Sequence, residues 1–355
     1  ITVSTGAATI QVTARDQFSN PVSGAAVTLS ASGSGVSLTQ PSAATDATGV
    51  ATGSLQASSA GTVTVSATAG GVALSQIATV TVEPPGASVV FVGAGDISDC
   101  GNDNDAATAA LITAIPSVPV FTLGDNAYPN GASADYNNCY NPTWGAFKSR
   151  THPSAGNHEY DVSSTAAAYF AYFGSAAGQA GLGYYSFDLG SWHVVVLNSN
   201  IATDVGSPQE VWLKADLAAH PSLCTLAYWH HPLYSSIGGT PGTSGAVITS
   251  ARPLWDDLYA AGADLVLNGH RHVYERLAPM KPDGSADPVR GIRTIIAGTG
   301  GESGGDLTNI FPTSEVRNGQ TFGVLKLTLS TGSYSWQFIG VPGSTFTDSG
   351  TNSCH

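Results

Sequence analysis

Apolar and polar positions follow two different rhythms along the chain. Up to residue 83, the runs ATIQVTARD, AAVTLSAS, GTVTVSATA and ATVTVE alternate with period two, punctuated by Gly, Pro and Asn. Side chains two apart share one face of a strand, so the pattern predicts short strands packed in an all-β sandwich. From residue 88, near-continuous apolar runs of strand length take over: SVVFVGAGD, PVFTLGD, WHVVVLNSN, TLAYWHHP, ADLVLNGH and RTIIAGTGG. Strands that are apolar on both faces are covered on both faces, and helical stretches lie between them, which predicts α/β layering. One helix is explicit in SPQEVWLKADLAAH. Ser207 and Glu210 form a capping box, Pro208 takes the first helical position, and Val211, Leu213 and Leu217 supply the apolar spacing. A second helix is predicted over 248–261, and 321–340 returns to a strand pattern. The segment EPPGAS reads as a stiff linker, giving domains at 1–83 and 88–355 joined by 84–87.

Composition narrows the function classes. The chain has 355 residues, 42% hydrophobic and 10% charged, which predicts packed globular domains rather than charge-driven disorder. Net charge is −13, from 12 Lys+Arg against 25 Asp+Glu. No basic cluster occurs, so nucleic acid is excluded as a partner. No apolar run reaches the ~20 residues of a membrane span. The chain opens on Ile1 without a leader, so a processed or trimmed chain is expected. Four Cys, an even count, predict an exported, oxidised protein. The first 83 residues hold four charged side chains (Arg15, Asp16, Asp46, Glu83) and one aromatic, Phe18. All nine His and all six Trp lie beyond residue 140, so the titratable chemistry belongs to the second domain.

That chemistry sits in five polar clusters directly after apolar runs: Asp96; Gly124-Asp125-Asn126-Ala127-Tyr128; Gly156-Asn157-His158-Glu159; His230-His231-Pro232; and Gly269-His270-Arg271-His272. Ligands of open α/β sheets gather beyond the carboxyl ends of strands, so the five are expected in one crevice. Two Asp, one Asn, three His and one Tyr are too many donors for one ion, but with a shared Asp they suit two. Taken singly, each has an ordinary reading: Asp96 as a turn or helix cap, Gly-Asn-His as a turn, one of His230 and His231 as a satisfied buried imidazole. His152, His193, His220 and His355 lack such a context and read as structural or exposed. Arg276 reads as a structural ion pair, and Glu159 as a support for ligands. A rival enzyme signature is Gly301-Glu302-Ser303-Gly304-Gly305, a G-x-S-x-G nucleophile elbow. No convincing helix follows it, and its glycines more simply allow a loop to pass close to the crevice. No C-x-x-C spacing marks a zinc site.

Two resemblances sharpen these expectations. DQFSNPVSGAAVTLS, TDATGVATGSL and AGTVTVSAT resemble the bacterial immunoglobulin-like domains of invasin and intimin type over nearly all of 1–83. This implies a spacer or adhesion module that contacts a cell surface or another domain. GDNAY, GNHE, WHHPLYSS and GHRHVYER resemble, in order, the calcineurin-like metallophosphoesterases and, within them, the purple acid phosphatases, in wording nearest the bacterial secreted ones. Over roughly 88–340 the resemblance implies a four-layer sandwich of two mixed sheets flanked by helices. It implies Asp96, Asp125, Tyr128 and His272 at a first metal, with Asp125 bridging to a second held by Asn157, His230 and His270. Fe(III) is expected at the Tyr128 site, because a phenolate favours a hard trivalent ion, with Zn, Mn or Fe(II) at the other. His158 is implied as the residue that contacts phosphate and assists as an acid. The chain departs from the family where GDIS lacks the glycine usual after the first Asp. It departs again at SSIGGTPGTSG (235–245), which has no His where purple acid phosphatases bring further substrate-contacting ones, leaving His231 as the partial substitute.

The expected reaction is hydrolysis of phosphate monoesters, with diesters second, by a metal-bound hydroxide. The alternatives are a phosphodiesterase or nucleotide hydrolase of the same fold, and an adhesin whose phosphatase-like domain is a non-catalytic scaffold. The expected setting is secreted, cell-surface or periplasmic. Cys100 and Cys139 fall on loops leaving the expected metal face from neighbouring strands, whereas Cys224 opens a strand at the opposite end and Cys354 follows the closing strands. A disulfide needs Cα atoms within ~7 Å, which predicts Cys100–Cys139 and Cys224–Cys354, the alternative being four buried free thiols.

Overall fold

The computed structural model describes residues 8–82, 88–222, 224–237, 246, 247, 249–302, 304–307 and 309–355. The linker 84–87, Ser303 and most of the 235–245 segment therefore lie outside the described residues. The chain forms two compact units, 1–87 and 88–355.

In the first unit, Ala8–Thr13, Val50–Ala57 and Val36–Thr39 pair as one antiparallel sheet. Val27–Ser32, Gly61–Ala69, Val72–Ala73 and Ala78–Val82 form the other. The period-two pattern becomes a facing pattern: every second residue of Val50–Ala57 is buried. Ile10, Val12, Leu29, Leu55, Val63 and Val65 close one core.

The second unit has two mixed sheets. The six-stranded sheet runs Thr151–Ser154, Val120–Leu123, Val89–Ala94, Gly323–Ser330, Ser333–Gly340, Asp348–Ser353 in spatial order, the first three strands parallel. The seven-stranded sheet runs Tyr185–Leu189, Trp192–Val196, Cys224–Trp229, Leu265–Asn268, Arg293–Ala297, Tyr274–Leu277, Ser314–Asn318, with a parallel core from Trp192–Val196 to Arg293–Ala297. Alternate residues of each strand serve opposite faces. Phe91, Val194, Leu226, Leu265 and Ile295 enter the core between the sheets. Val195, Ala227, Val266 and Ile296 instead pack under Leu213 and under Leu254, Trp255 and Leu258 of the helices Pro208–Ala219 and Arg252–Ala261. On the other outer face, Val92 and Val120 meet Ala109 and Ile112 of the helix Asn104–Thr113. The result is helix, sheet, sheet, helix, and the two-sided apolar strands follow from it.

Local details refine the helix expectations. Ser207 caps Pro208–Ala219 by accepting the Glu210 N–H at 3.3 Å, but Glu210 accepts from Gly206 N–H at 3.0 Å, not from the cap residue itself. The Ser207 N–H is already committed to the Asp204 carbonyl, so the box closes one residue early. Val211, expected on the apolar stripe, is 56% exposed, because Leu213 supplies the buried contact of that turn. The second helix is shorter than expected: a 3₁₀ turn at Thr249–Ala251 leads into Arg252–Ala261, and Gly262 ends it at φ 79°. No helix follows the 301–305 glycines among the described residues, which removes the nucleophile elbow. A Cβ on Gly301 would sit 2.3 Å from the Ile97 carbonyl, so glycine is needed for this loop to pass the turn that carries Asp96. The cysteines pair as Cys100–Cys139 and Cys224–Cys354.

Candidate dinuclear metal centre

Five of the expected donors lie one to three residues past the carboxyl end of a parallel strand: Asp96, Asp125, Asn157, His230 and His270. The chain turns sharply at these positions. Asp96, Asp125 and His270 have φ of 57°, 48° and 66°, in the left-handed region that L side chains avoid at about 1–2 kcal/mol each. Strain of this kind persists where the surroundings over-determine it, and it clusters at functional sites.

The donors form two sets sharing one carboxylate. The Tyr128 hydroxyl is 3.2 Å from Asp96 Oδ1, from Asp125 Oδ2 and from His272 Nε2, and His272 Nε2 is 3.3 Å from Asp96 Oδ1. On the other side, His230 Nε2 is 3.1 Å from Asp125 Oδ2 and 3.0 Å from Asn157 Oδ1. His270 Nδ1 is also 3.0 Å from Asn157 Oδ1. Donors about 3 Å apart form the edge of a coordination polyhedron with metal–ligand distances of about 2.0–2.2 Å. The donor set therefore fits two cations, with Asp125 within reach of both groups.

Hydrogen bonds behind the donors aim them. The Leu123 carbonyl, 2.7 Å from His230 Nδ1, holds a proton there and leaves Nε2 facing the cluster. His270 N–H donates to Asp96 Oδ2 and His158 N–H to Asp125 Oδ1, both at 2.9 Å. Glu159 is fully buried and accepts from Gly156 N–H at 2.6 Å, Asn126 N–H at 2.8 Å, and Asp125 N–H and the Tyr136 hydroxyl at 3.0 Å. It thus knots the Asp125 loop to the Asn157 loop. Asn268 Nδ2 and Gly269 N–H donate to the Trp229 and His230 carbonyls at 2.9 and 3.0 Å, tying the two His loops together.

The charges are set for cations. Burial pushes the Asp125 carboxyl up, but His230 and His158 override it and hold it below the usual range. Burial pulls His230 down, yet Asp125 raises it to about 9, so cation binding there must displace a proton. Burial and then the His230 charge push His231 down to about 3 and His270 to about 2, leaving both neutral, as ligation by His270 requires. Burial, then Asp96 and Asp125, push the Tyr128 phenol far up. A cation held there would offset those carboxylates and favour the phenolate.

Known proteins bear on this centre. The sequence model of the calcineurin-like phosphoesterases matches residues 81–274, a span that holds all seven donors. The chain belongs to the calcineurin-like phosphoesterases. The bacterial Ig-like domain (group 1) model matches 3–83. Purple acid phosphatase 15 of Arabidopsis thaliana is 33% identical over 190 residues, 44% of this chain and 35% of that protein. Purple acid phosphatase 18 of the same plant is 33% identical over 124 residues, 34% of this chain and 28% of that protein. The chain therefore spans only about a third of the length of these relatives. Among solved structures, purple acid phosphatase PPD1 from yellow lupin (Lupinus luteus) seeds aligns at TM-score 0.63 and 18% identity, over 98% of this chain and 72% of that one. GAP50, the anchor in the inner membrane complex of Plasmodium, aligns at TM-score 0.56 and 14% identity, over 74% and 88%. At such identities the likeness shows the fold alone.

Other side chains of this calcineurin-like phosphoesterase surround the donors. His158 Nδ1 is 2.6 Å from the Pro129 carbonyl and 3.0 Å from Asp161 Oδ2, its ring rests on Tyr128 at 4.6 Å, and Nε2 lies 3.8 Å from Asp125 Oδ2. The His231 ring lies 4.3 Å from that of His270, with Nδ1 2.8 Å from Ser199 Oγ. The remaining histidines are elsewhere. His193 bonds Asp188 and Asp216 at 3.0 and 2.9 Å, and His220 caps its helix on the Asp216 carbonyl at 2.9 Å. His152 stacks on Phe187 at 3.9 Å, and His355 pairs with Asp264 at 2.9 Å. Arg276 pairs with Asp348 at 2.7 Å and with Glu315. Sequence reasoning missed Ser199, which carries no motif, and gave no role to Arg271, whose position between two donors was the available signal.

Proposed function

We propose that the chain is a dinuclear-metal phosphatase that hydrolyses phosphate monoesters, with diesters as secondary substrates. The observation that carries this reading is the Asp125 carboxylate, within 3.2 Å of Tyr128 on one side and 3.1 Å of His230 on the other. Asp96, Asp125, Tyr128 and His272 would hold one cation, Fe(III) in this reading, and Asp125, Asn157, His230 and His270 a second, Zn, Mn or Fe(II), and these would supply Lewis acidity toward water and phosphate. The protein does the rest. Its loops fix the spacing through Glu159 and the Trp229–Asn268 bond, and the backbone N–H groups of His158 and His270 orient the two Asp carboxylates. His158, anchored at Nδ1 and partly exposed at the cluster edge, would in this reading protonate the leaving oxygen or stabilise its charge. His231, oriented by Ser199, lines the same crevice beside His270.

The two disulfides support a secreted, cell-surface or periplasmic setting, and the match of the first unit to Ig-like domains supports a spacer or surface-contacting role. The test is hydrolysis of p-nitrophenyl phosphate and its diester by metal-loaded protein, with Asp125→Asn as control. Wild-type turnover that Asp125→Asn loses together with its metal supports the proposal. No turnover of either ester by fully loaded wild type refutes it in favour of a binding scaffold.

A further inference from the structure

Arg271 stands between the two donors His270 and His272. Its backbone is locked: its N–H donates to the Gly269 carbonyl at 2.7 Å, and its carbonyl accepts the Val273 N–H at 2.6 Å. Its side chain is not. The guanidinium makes no hydrogen bond and no ion pair among the described residues, although it is partly buried and its Nε is shut away from solvent without a partner. Other arginines of this unit are engaged: Arg252 with Asp256, Arg276 with Asp348, Arg293 with Glu315. Arg271 belongs to the loop packed against the centre: a Cβ on Gly298 would sit 2.2 Å from the Arg271 carbonyl oxygen and 2.6 Å from Asp96 Oδ2. A chain of net charge −13 has thus set, beside its metal donors, a cation with no partner among the described residues. A buried donor left without an acceptor is unfavourable, and an anionic ligand bound at the adjoining centre would supply one.

We propose that Arg271 is a substrate-contacting residue that grips two terminal oxygens of a phosphate monoester and so sets a preference for monoesters over diesters. This rests on the phosphatase reading above. A guanidinium fork donates two parallel N–H bonds to adjacent anionic oxygens, and a Lys ammonium cannot reproduce that geometry. A monoester presents three terminal oxygens, which leaves a pair for the fork while the centre holds the rest. In a diester one of the three carries a carbon substituent and is lost as an anionic acceptor.

The experiment compares wild type, Arg271→Ala and Arg271→Lys in the full metal-loaded chain. It measures kcat/KM on p-nitrophenyl phosphate and bis(p-nitrophenyl) phosphate, metal content, and calorimetric binding of inorganic phosphate. For Arg271→Ala, monoester kcat/KM should fall roughly 10- to 150-fold, the worth of a charge-assisted hydrogen bond, and phosphate binding should weaken alike. Diester kcat/KM should change far less, and metal content should not change. Arg271→Lys should stay well below wild type on the monoester, because it restores charge without the fork. An unchanged monoester rate, equal losses on both esters, or loss of metal overturns the assignment. If wild type turns over neither ester, the phosphatase reading fails separately. Phosphate binding shown by wild type and absent in Arg271→Ala still supports the contact, and equal binding by both overturns it.

Discussion

Gly156→Ala tests the centre through packing rather than through ligand removal. An added Cβ at residue 156 would lie 2.1 Å from Asp125 Oδ1 and 2.3 Å from the Asp125 backbone nitrogen. Real Cβ contacts essentially never fall under 3.0 Å, so the Asp125 and Gly156 loops must part by about 0.7–0.9 Å. The side chain of Asp125 cannot simply swing aside, because its own backbone nitrogen is one of the atoms struck. Parting the loops also works against Glu159, which holds Asp125 N–H at 3.0 Å and Gly156 N–H at 2.6 Å. Overpacking costs about 1–3 kcal/mol. Weakening one charge-assisted bond adds about 1.5–3 kcal/mol. The expected destabilisation is therefore about 2.5–6 kcal/mol, or roughly 5–24 °C in Tm for a domain of this size. Ligand distances in metal sites match their ideal values within about 0.2 Å, so on the proposed reading a shift of this size should also cost metal at Asp125. Thermal melting and elemental analysis of the purified variant, against wild type, read both effects. A variant with wild-type Tm and full metal content would refute the claim that these two loops are held at contact distance.

Three further outcomes follow from the geometry. Iron-loaded protein should absorb visible light through the Tyr128 phenolate, and Tyr128→Phe should bleach it with the fold intact by circular dichroism; colourless iron-replete wild type would remove Tyr128 from the ligand set. His158→Ala should lower kcat by about a hundredfold or more while keeping its metal, since general acid–base groups contribute about 10²–10⁴; metal loss or wild-type turnover would contradict the role. Burial pulls His193 down, but its bonds to Asp216 and Asp188 raise it overall. A His raised on folding adds stability that is complete below its unfolded pKa of about 6.5 and fades as pH rises through the folded value. Denaturant unfolding should therefore show a larger deficit for His193→Gln at about pH 5.5 than at about pH 9, and equal deficits would show that the ion pairs do not carry the effect.

The elements and the donor inventory are legible in the sequence, because both are written locally. A period-two run such as GTVTVSATA is a one-sided strand wherever it packs, and VVFVGAGD is a two-sided strand followed by a donor. The donors were legible because each sits within a few residues of a strand end, where α/β sheets gather their ligands. Local pattern misjudged Val211 and the closure of the Glu210 box, since neighbouring turns decided which residue was covered and which N–H was still available. It took the packing of the loops to bring Asp125 against both donor sets, Tyr128 to His272 across 144 positions of sequence and Ser199 to His231, and to leave Arg271 Nε buried without a partner among the described residues. Each of these is a distance or an unmet bond between side chains on different loops. The meeting of those loops is set by two sheets packing face to face, and no short stretch of sequence encodes it.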